Sequence, residues 1–272
     1  MLPPLADLFN PSLLAGRAAL ITGGSSGIGF EMARGLGAVG CRVVIAARTA
    51  ERIDAAVAAL RDAGVDAAGT QLDVRDPPAV ERVVGEVVAE TGGIDILINN
   101  AGGTFAKKAE ELSANGWRAV IDLNLNGTFY CCSAVGRHMI ERGQGGKILN
   151  ITIGTADRSA GGIVHTGSSR AGVLHMTRTL AVEWAQFDIQ VNAIGPQYLT
   201  PGAKEMYGQE VDDFITGSTP ARRWATGDEL AAWAVVLTSP ISDYLTGGFI
   251  PLDGGNQVGI GINFRGSGAL PE

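Results

Sequence analysis

Between an apolar run, Ala18-Ala19-Leu20-Ile21, and a helical pattern from Phe30 to Val39 stands Thr22-Gly23-Gly24-Ser25-Ser26-Gly27-Ile28-Gly29. A strand that feeds a glycine turn and then a helix is the opening of a βαβ unit whose turn can hold a pyrophosphate. The glycines let the backbone turn tightly and let an anion come close. The helix start adds unpaired N–H groups and the positive end of the helix dipole. Gly23, Ser25, Ser26, Gly27, Ile28 and Gly29 are therefore the candidate phosphate cradle. Glycine-rich turns also occur as plain structure, but here the strand and the helix are both in place.

The alternation continues down the chain. Further strands are predicted at Arg42 to Ala47, Ala68 to Leu72, Ile94 to Ile98, Lys147 to Thr152, Ile189 to Ile194 and Phe249 to Leu252. Helical patterns lie between them: Ala50 to Ala63, Pro77 to about Glu90, Trp117 to Arg142, Thr166 to Phe187 and Asp228 to Leu237. Largely apolar strands alternating with helices imply an α/β fold with a parallel sheet covered on both faces. Right-handed crossovers make it doubly wound, with about seven strands. Residues 1–16, with Pro3, Pro4, Pro11 and Gly16, read as an irregular lead-in. Residues 17–255 read as one dinucleotide-binding domain, 197–226 as its substrate-covering segment and 256–272 as a glycine-rich tail. In such sheets ligands bind beyond the carboxyl ends of the strands, so the residues just after strands are the ones to inspect.

The 272 residues carry a net charge of −7 and no basic cluster, which argues against nucleic acid or an anionic membrane as partner. Three cysteines, Cys41, Cys131 and Cys132, show no disulfide framework and read as reduced thiols. They share no metal-ligand spacing with His138, His165 and His175, so no metal site is expected. No basic segment leads into an apolar core at the N-terminus, no apolar run is long enough to span a bilayer, and the C-terminal Leu270-Pro271-Glu272 is not a peroxisomal address. A cytoplasmic protein is the expectation.

Arg48 follows the second strand, where an acid would bond the ribose 2′-OH of NAD. Ala46-Ala47-Arg48 has no acid there, and an arginine suits a 2′-phosphate, so NADP(H) is favoured over NAD(H). The competing reading of Arg48 is a solvated surface arginine.

Four motifs in order now define a resemblance: Thr22-Gly23-x-x-x-Gly27-Ile28-Gly29, Asn99-Asn100-Ala101-Gly102, Asn124 within Leu123-Asn124-Leu125-Asn126-Gly127, and Asp253-Gly254-Gly255. From about residue 16 to 255 the chain resembles the short-chain dehydrogenases/reductases. The resemblance implies a single-domain Rossmann-type fold, a nicotinamide cofactor, a small-molecule substrate and a homodimer or homotetramer. It also implies a catalytic Asn, Ser, Tyr and Lys. Asn124 matches that asparagine, but Tyr-x-x-x-Lys is replaced by Thr166-Gly167-Ser168-Ser169-Arg170, and the serine position falls at about Ile153. By the same resemblance Asp73 would accept from the adenine amino group, and Val74, Asn99, Ala101, Gly102 and Pro196 would line the cofactor, with Asn100 bracing the turn. Gln197 stands where the family has glycine.

A threonine cannot supply a proton as tyrosine does, and an arginine holds its charge and cannot relay one. The run His165-Thr166-Gly167-Ser168-Ser169-Arg170-Ala171-Gly172-Val173 is similar to that of the peroxisomal-type trans-2-enoyl-CoA reductases, and more loosely to the 2,4-dienoyl-CoA reductases. Gly116-Trp117-Arg118-Ala119-Val120 and Asn124-Leu125-Asn126-Gly127-Thr128-Phe129-Tyr130 point the same way. Reducing a C=C bond conjugated to a thioester needs hydride at the β-carbon and hydrogen bonds to an enolate oxygen, while water can protonate the α-carbon. A hydroxyl and an arginine can stabilise such an oxyanion.

The candidate catalytic residues are thus Asn124, Thr166, Arg170, Thr155 and His165, with Arg170 also on the nicotinamide ribose. Four of these have a structural alternative: a local bond for Asn124, a helix cap for Thr166, an ordinary helix arginine for Arg170, and capping or packing for His165; Asp73 has one too, a helix N-cap. Tyr198 is a packing residue or a face of the nicotinamide pocket. A CoA ester would need basic groups at the mouth, for which Lys107, Lys108, Arg158, Arg222 and Arg223 are available. Three functions stay open: an NADPH-dependent enoyl-thioester reductase, a carbonyl or alcohol oxidoreductase with His165 or Tyr198 as displaced acid, and a non-catalytic NADP(H)-binding protein.

Overall fold

The computed structural model describes residues 2–154, 156, 161–200, 202, 204, 212, 213 and 215–258. Seven parallel strands form one sheet in the order β3-β2-β1-β4-β5-β6-β7. They are β1 (Ala18–Thr22), β2 (Arg42–Ala47), β3 (Ala67–Gln71), β4 (Ile96–Asn99), β5 (Gly146–Ile151), β6 (Ile189–Pro196) and β7 (Phe249–Leu252). The helices are α1 (Leu5–Leu8), α2 (Gly27–Ala38), α3 (Ala50–Asp62), α4 (Pro77–Thr91), α5 (Ala114–Ile121), α6 (Gly127–Arg142), α7 (Val164–Trp184) and α8 (Gly227–Thr238).

Strand periodicity explains the two-layered cover. Ala19, Ile21, Val43 and Ile45 point to one face and bury against Met32 and Leu36 of α2, Ile53 and Leu60 of α3, and Leu230 and Ala234 of α8. Their neighbours Leu20, Val44 and Ala46 point to the other face, against Val83 and Val87 of α4, Cys132 and Val135 of α6, and Leu180 of α7. Helix ends follow local chemistry. The Asp76 carboxylate caps α4 and a proline occupies its first turn, while Gly92 stops it at φ +81°, a left-handed conformation suited to glycine. The chain reverses cover between β1 and β4, so a crevice opens at their carboxyl ends, where Thr22 pairs in register with Asn99.

Several boundaries differ from expectation. The lead-in contains the short helix α1. The helical run expected from Trp117 to Arg142 is two helices joined by a π-turn, Asp122–Asn126, with the wholly buried Asn124 at its centre. The helix expected to begin at Thr166 begins at Val164, which puts His165 inside its first turn. β6 runs on to Pro196. The 197–226 segment is only partly within the described residues, and the tail from 259 lies outside them. Among the described residues no helix is long and apolar enough to cross a membrane.

Candidate active site

Two cavities sit at the carboxyl ends of the strands and share Ser26 and Gly102 as walls. The first, about 190 Å³, runs from Gly23, Ser25 and Ser26 to Arg48, Asp73 and Val74, with Ala101 on its floor. The second, about 460 Å³, lies over Gly27, Ile28 and Gly102 and reaches Thr166, Arg170, Pro196 and Tyr198. Most of the expected cofactor residues are thus brought together.

The ends of β1 and β4 are stitched by polar bonds. The Thr22 hydroxyl accepts from the backbone N–H groups of Asn100 (3.0 Å) and Ala101 (3.1 Å), and the Asn100 amide donates to the carbonyls of Thr22 (3.1 Å) and Gly23 (2.9 Å). Gly23 adopts φ +65°, and a Cβ there would stand 3.0 Å from the Ala101 backbone. Gly29 serves the packing beneath: a Cβ would meet the Asn100 amide at 2.5 Å, and the residue lines neither cavity. This cradle fits a dinucleotide pyrophosphate. The glycines leave backbone open at the start of α2, where N–H groups and the dipole attract an anion.

At the far end of the smaller cavity Arg48 and Arg52 both stand in the wall, beside Thr49. Arg52 escaped the sequence reading; it sits in the first turn of α3, whose N-cap Thr49 directly follows Arg48. The Asp73 carboxylate accepts from the backbone N–H of Arg75 (3.0 Å) and from its guanidinium at 2.5 to 3.2 Å. These bonds hold its pKa below the ordinary value. Asp73 is not the cap of α4, which is Asp76.

Three further residues expected at the site line neither cavity. The Asn99 side chain turns to the sheet face covered by α6, where its amide donates to Asn150 (2.9 Å) and to Cys132 (3.2 Å). Asn124 is buried behind the cleft wall. Its amide donates to the Gly103 carbonyl (3.0 Å) and the Ser169 hydroxyl (3.1 Å), and its Oδ1 accepts from the Gly103 N–H (2.9 Å). The π-turn thus pins the loop after β4 to α7. His165 is wholly buried with its ring edge-on to Phe105 at 4.4 Å, and neither ring nitrogen has a partner among the described residues. It is on neither cavity wall, because one step along the helix from Thr166 turns a side chain about 100° away. Thr155 and Arg158 lie outside the described residues.

Thr166 and Arg170 do share the cleft wall. The Thr166 hydroxyl lies 2.6 Å from that of Thr104, on the loop after β4. Arg170 donates from Nη1 to the Ile151 carbonyl (2.7 Å), and its Nε is buried without a partner. No carboxylate pairs with it among the described residues. Burial alone pushes its pKa down to about 10, so it stays charged at neutral pH. Gly102 makes room for it: a Cβ there would come within 2.2 Å of Nη2. The Tyr198 phenol is pushed up, first by burial and then by Glu31. Of the basic residues considered for the mouth, Lys107 pairs with Glu111 (2.7 Å) and Arg223 with Glu229 (2.7 Å).

This fold and sequence have counterparts among known proteins. The family model described as enoyl-(acyl carrier protein) reductase matches residues 23–257. A probable 2,4-dienoyl-CoA reductase of Bacillus subtilis is 41% identical over 246 residues, covering 89% of this chain and 97% of that protein. A gluconate 5-dehydrogenase of Gluconobacter oxydans is 36% identical over 256 residues, covering 93% and 98%. The crystal structure of a gluconate 5-dehydrogenase from Burkholderia cenocepacia, in complex with NADP and tartrate, superposes with a TM-score of 0.86 at 34% identity, covering 92% of this chain and 99% of that one. The chain belongs to the short-chain dehydrogenase/reductase family. It is an oxidoreductase of that family.

Proposed function

We propose that this protein is an NADPH-dependent reductase of α,β-unsaturated thioesters, of the 2-enoyl-CoA class. The observation that carries the reading is the pair on the cleft wall: a threonine hydroxyl and a buried guanidinium with no counter-ion among the described residues, where ketone reduction wants a tyrosine and a lysine. A lone buried cation is costly to keep, and it is matched when negative charge develops beside it. The likeness to the Bacillus dienoyl-CoA reductase supports the same substrate class.

NADPH, when bound, supplies the hydride. Gly23, Ser25, Ser26 and Gly27 would hold its pyrophosphate, and Arg48 with Arg52 would hold the 2′-phosphate. Arg170 gives positive potential at the nicotinamide end. It stands one helical turn below Thr166, whose hydroxyl donates to the thioester oxygen as that oxygen gains charge. α7 begins two residues before Thr166, so its dipole adds to the same field. Asn124 holds the wall in place through Gly103 and Ser169. Water protonates the α-carbon, so no side chain of low pKa is required.

A second reading, carbonyl or alcohol oxidation-reduction on a sugar acid, has Tyr198 on the cleft wall and the gluconate dehydrogenases in its favour. The raised phenol pKa weakens that tyrosine as an acid near neutrality.

The test is nicotinamide absorbance during turnover of crotonyl-CoA, a medium-chain trans-2-enoyl-CoA, the matching 3-ketoacyl-CoA and 5-ketogluconate. Enoyl-CoA turnover that prefers NADPH, falls steeply in Arg170→Ala and loses its cofactor preference in Arg48→Ala is expected. Turnover of the keto substrates alone, abolished in Tyr198→Phe, would establish the second reading. NADPH binding with no turnover on any of them would leave a non-catalytic binding protein.

A further inference from the structure

Resting on the enoyl-thioester reading, we infer that Thr104 completes the oxyanion site with Thr166 as one two-hydroxyl clamp, in which one hydroxyl donates to the other and the accepting hydroxyl donates to the enolate oxygen. The two residues are 62 positions apart, yet their hydroxyl oxygens lie 2.6 Å from each other. Both line the larger cavity. At that separation one hydroxyl donates to the other, which uses one of the two protons. The second O–H, on whichever threonine accepts, is left to donate elsewhere, and the cavity is the space in front of it. A hydroxyl that already accepts a hydrogen bond is polarised and donates more strongly.

The surrounding bonds hold this pair still. Thr104 follows Gly103, whose N–H and carbonyl are both gripped by Asn124. Phe105 is fixed edge-on against His165, and the Lys107 N–H donates to the Gly162 carbonyl (2.8 Å), just ahead of α7. On the other side the Ser169 hydroxyl donates to the Thr166 carbonyl (2.9 Å). Loop and helix are thus tied at several points around the two hydroxyls, so little reorganisation is needed when charge appears.

The chemistry balances with these groups alone beside the cofactor and water. Hydride from NADPH adds to the β-carbon. The C=C π pair becomes the Cα=C bond of an enolate, and the carbonyl π pair moves onto the thioester oxygen, which the clamp binds. When a water proton adds to the α-carbon the carbonyl re-forms. One hydride and one proton are taken up, and NADP⁺ and a saturated thioester are released.

The test compares Thr104→Val, Thr104→Ser, Thr166→Val and the double Val variant on crotonyl-CoA with NADPH. Equilibrium NADPH binding and melting temperature are measured alongside. Loss of an oxyanion donor lowers kcat by about a hundredfold or more. Thr104→Val should fall by that order with KM for crotonyl-CoA changed far less. Thr104→Ser should recover most of the loss, and the double variant should be little worse than either single one, because each removal breaks the same clamp. NADPH affinity should stay within about threefold of wild type. A wild-type kcat in Thr104→Val, or losses that multiply in the double variant, would overturn the clamp and leave the enoyl reading standing. A wild-type protein that binds NADPH but is silent on enoyl thioesters would overturn both.

Discussion

Arg170 is charged and buried, and no counter-charge pairs with it among the described residues. A base whose folded pKa is pushed down, here to about 10 from 12.5, loses stability wherever it must stay protonated. The cost is therefore present across neutral pH and fades only in strong alkali. Arg170→Met keeps the length and the apolar packing and removes the charge. It should melt at or above the wild-type temperature at pH 7 while losing nearly all activity, as thermal unfolding and turnover on the same preparation would show. A marked drop in melting temperature would mean that the bond to the Ile151 carbonyl outweighs the buried charge. The cradle glycines were legible in sequence because few residues accept their backbone. Asn99 misled because a strand turns successive side chains to opposite faces. Its position after the apolar run gave no sign of which asparagine stands at the cleft wall, which is Asn100. Thr104 was invisible for a different reason: its partner lies on another element, and no local pattern encodes that approach.

The strands and helices themselves were largely written in the hydrophobic periodicity. β2 and β7 fall at the expected residues, while the run expected at Trp117 to Arg142 conceals a break. A π-turn keeps the apolar pattern nearly continuous, so only the buried Asn124 betrays it, and that residue reads equally well as a helix polar group. Capping is more readable. At the start of α8, Thr226 and Glu229 bond each other's backbone N–H groups, a capping box with the expected spacing. The Arg223 guanidinium grips the Glu229 carboxylate at 2.7 and 2.8 Å. That grip, first, and the Thr226 N–H hold the Glu229 pKa at about 2, against an ordinary 4.5, with burial opposing. A carboxyl with a depressed folded pKa adds stability above its unfolded value, and the contribution disappears as pH falls through the folded one. Glu229→Gln should therefore melt below wild type at pH 7, with the gap narrowing between about pH 4.5 and 2. A gap that is constant with pH would assign the effect to the cap geometry alone.

The two ends of the sheet divide the labour. The carboxyl ends carry the cradle and cleft, while the opposite end holds a cavity of about 340 Å³ whose charges are mostly satisfied internally. There Asp95 accepts from Arg17 (2.9 Å), from Arg142 (3.0 Å) and from the Ala18 N–H (2.8 Å), joining the start of β1, the approach to β4 and the end of α6. Lys147 pairs with Asp243 at 2.7 Å beside it. Removing one partner of a buried ionic group leaves the others uncompensated. Asp95→Ala should cost about 3 kcal/mol, read as a lower urea midpoint with an unchanged slope. The kinetic constants should remain, since the cleft lies at the other end; a changed kcat would show that the two ends are coupled.

The fit of Gly102 around the Arg170 guanidinium links two positions that no local motif connects. A methyl at 102 and a guanidinium at 170 would compete for the same space. Across related proteins the two sites should consequently drift together: chains with arginine at the second position should keep glycine at the first, and alanine there should occur with a smaller cation.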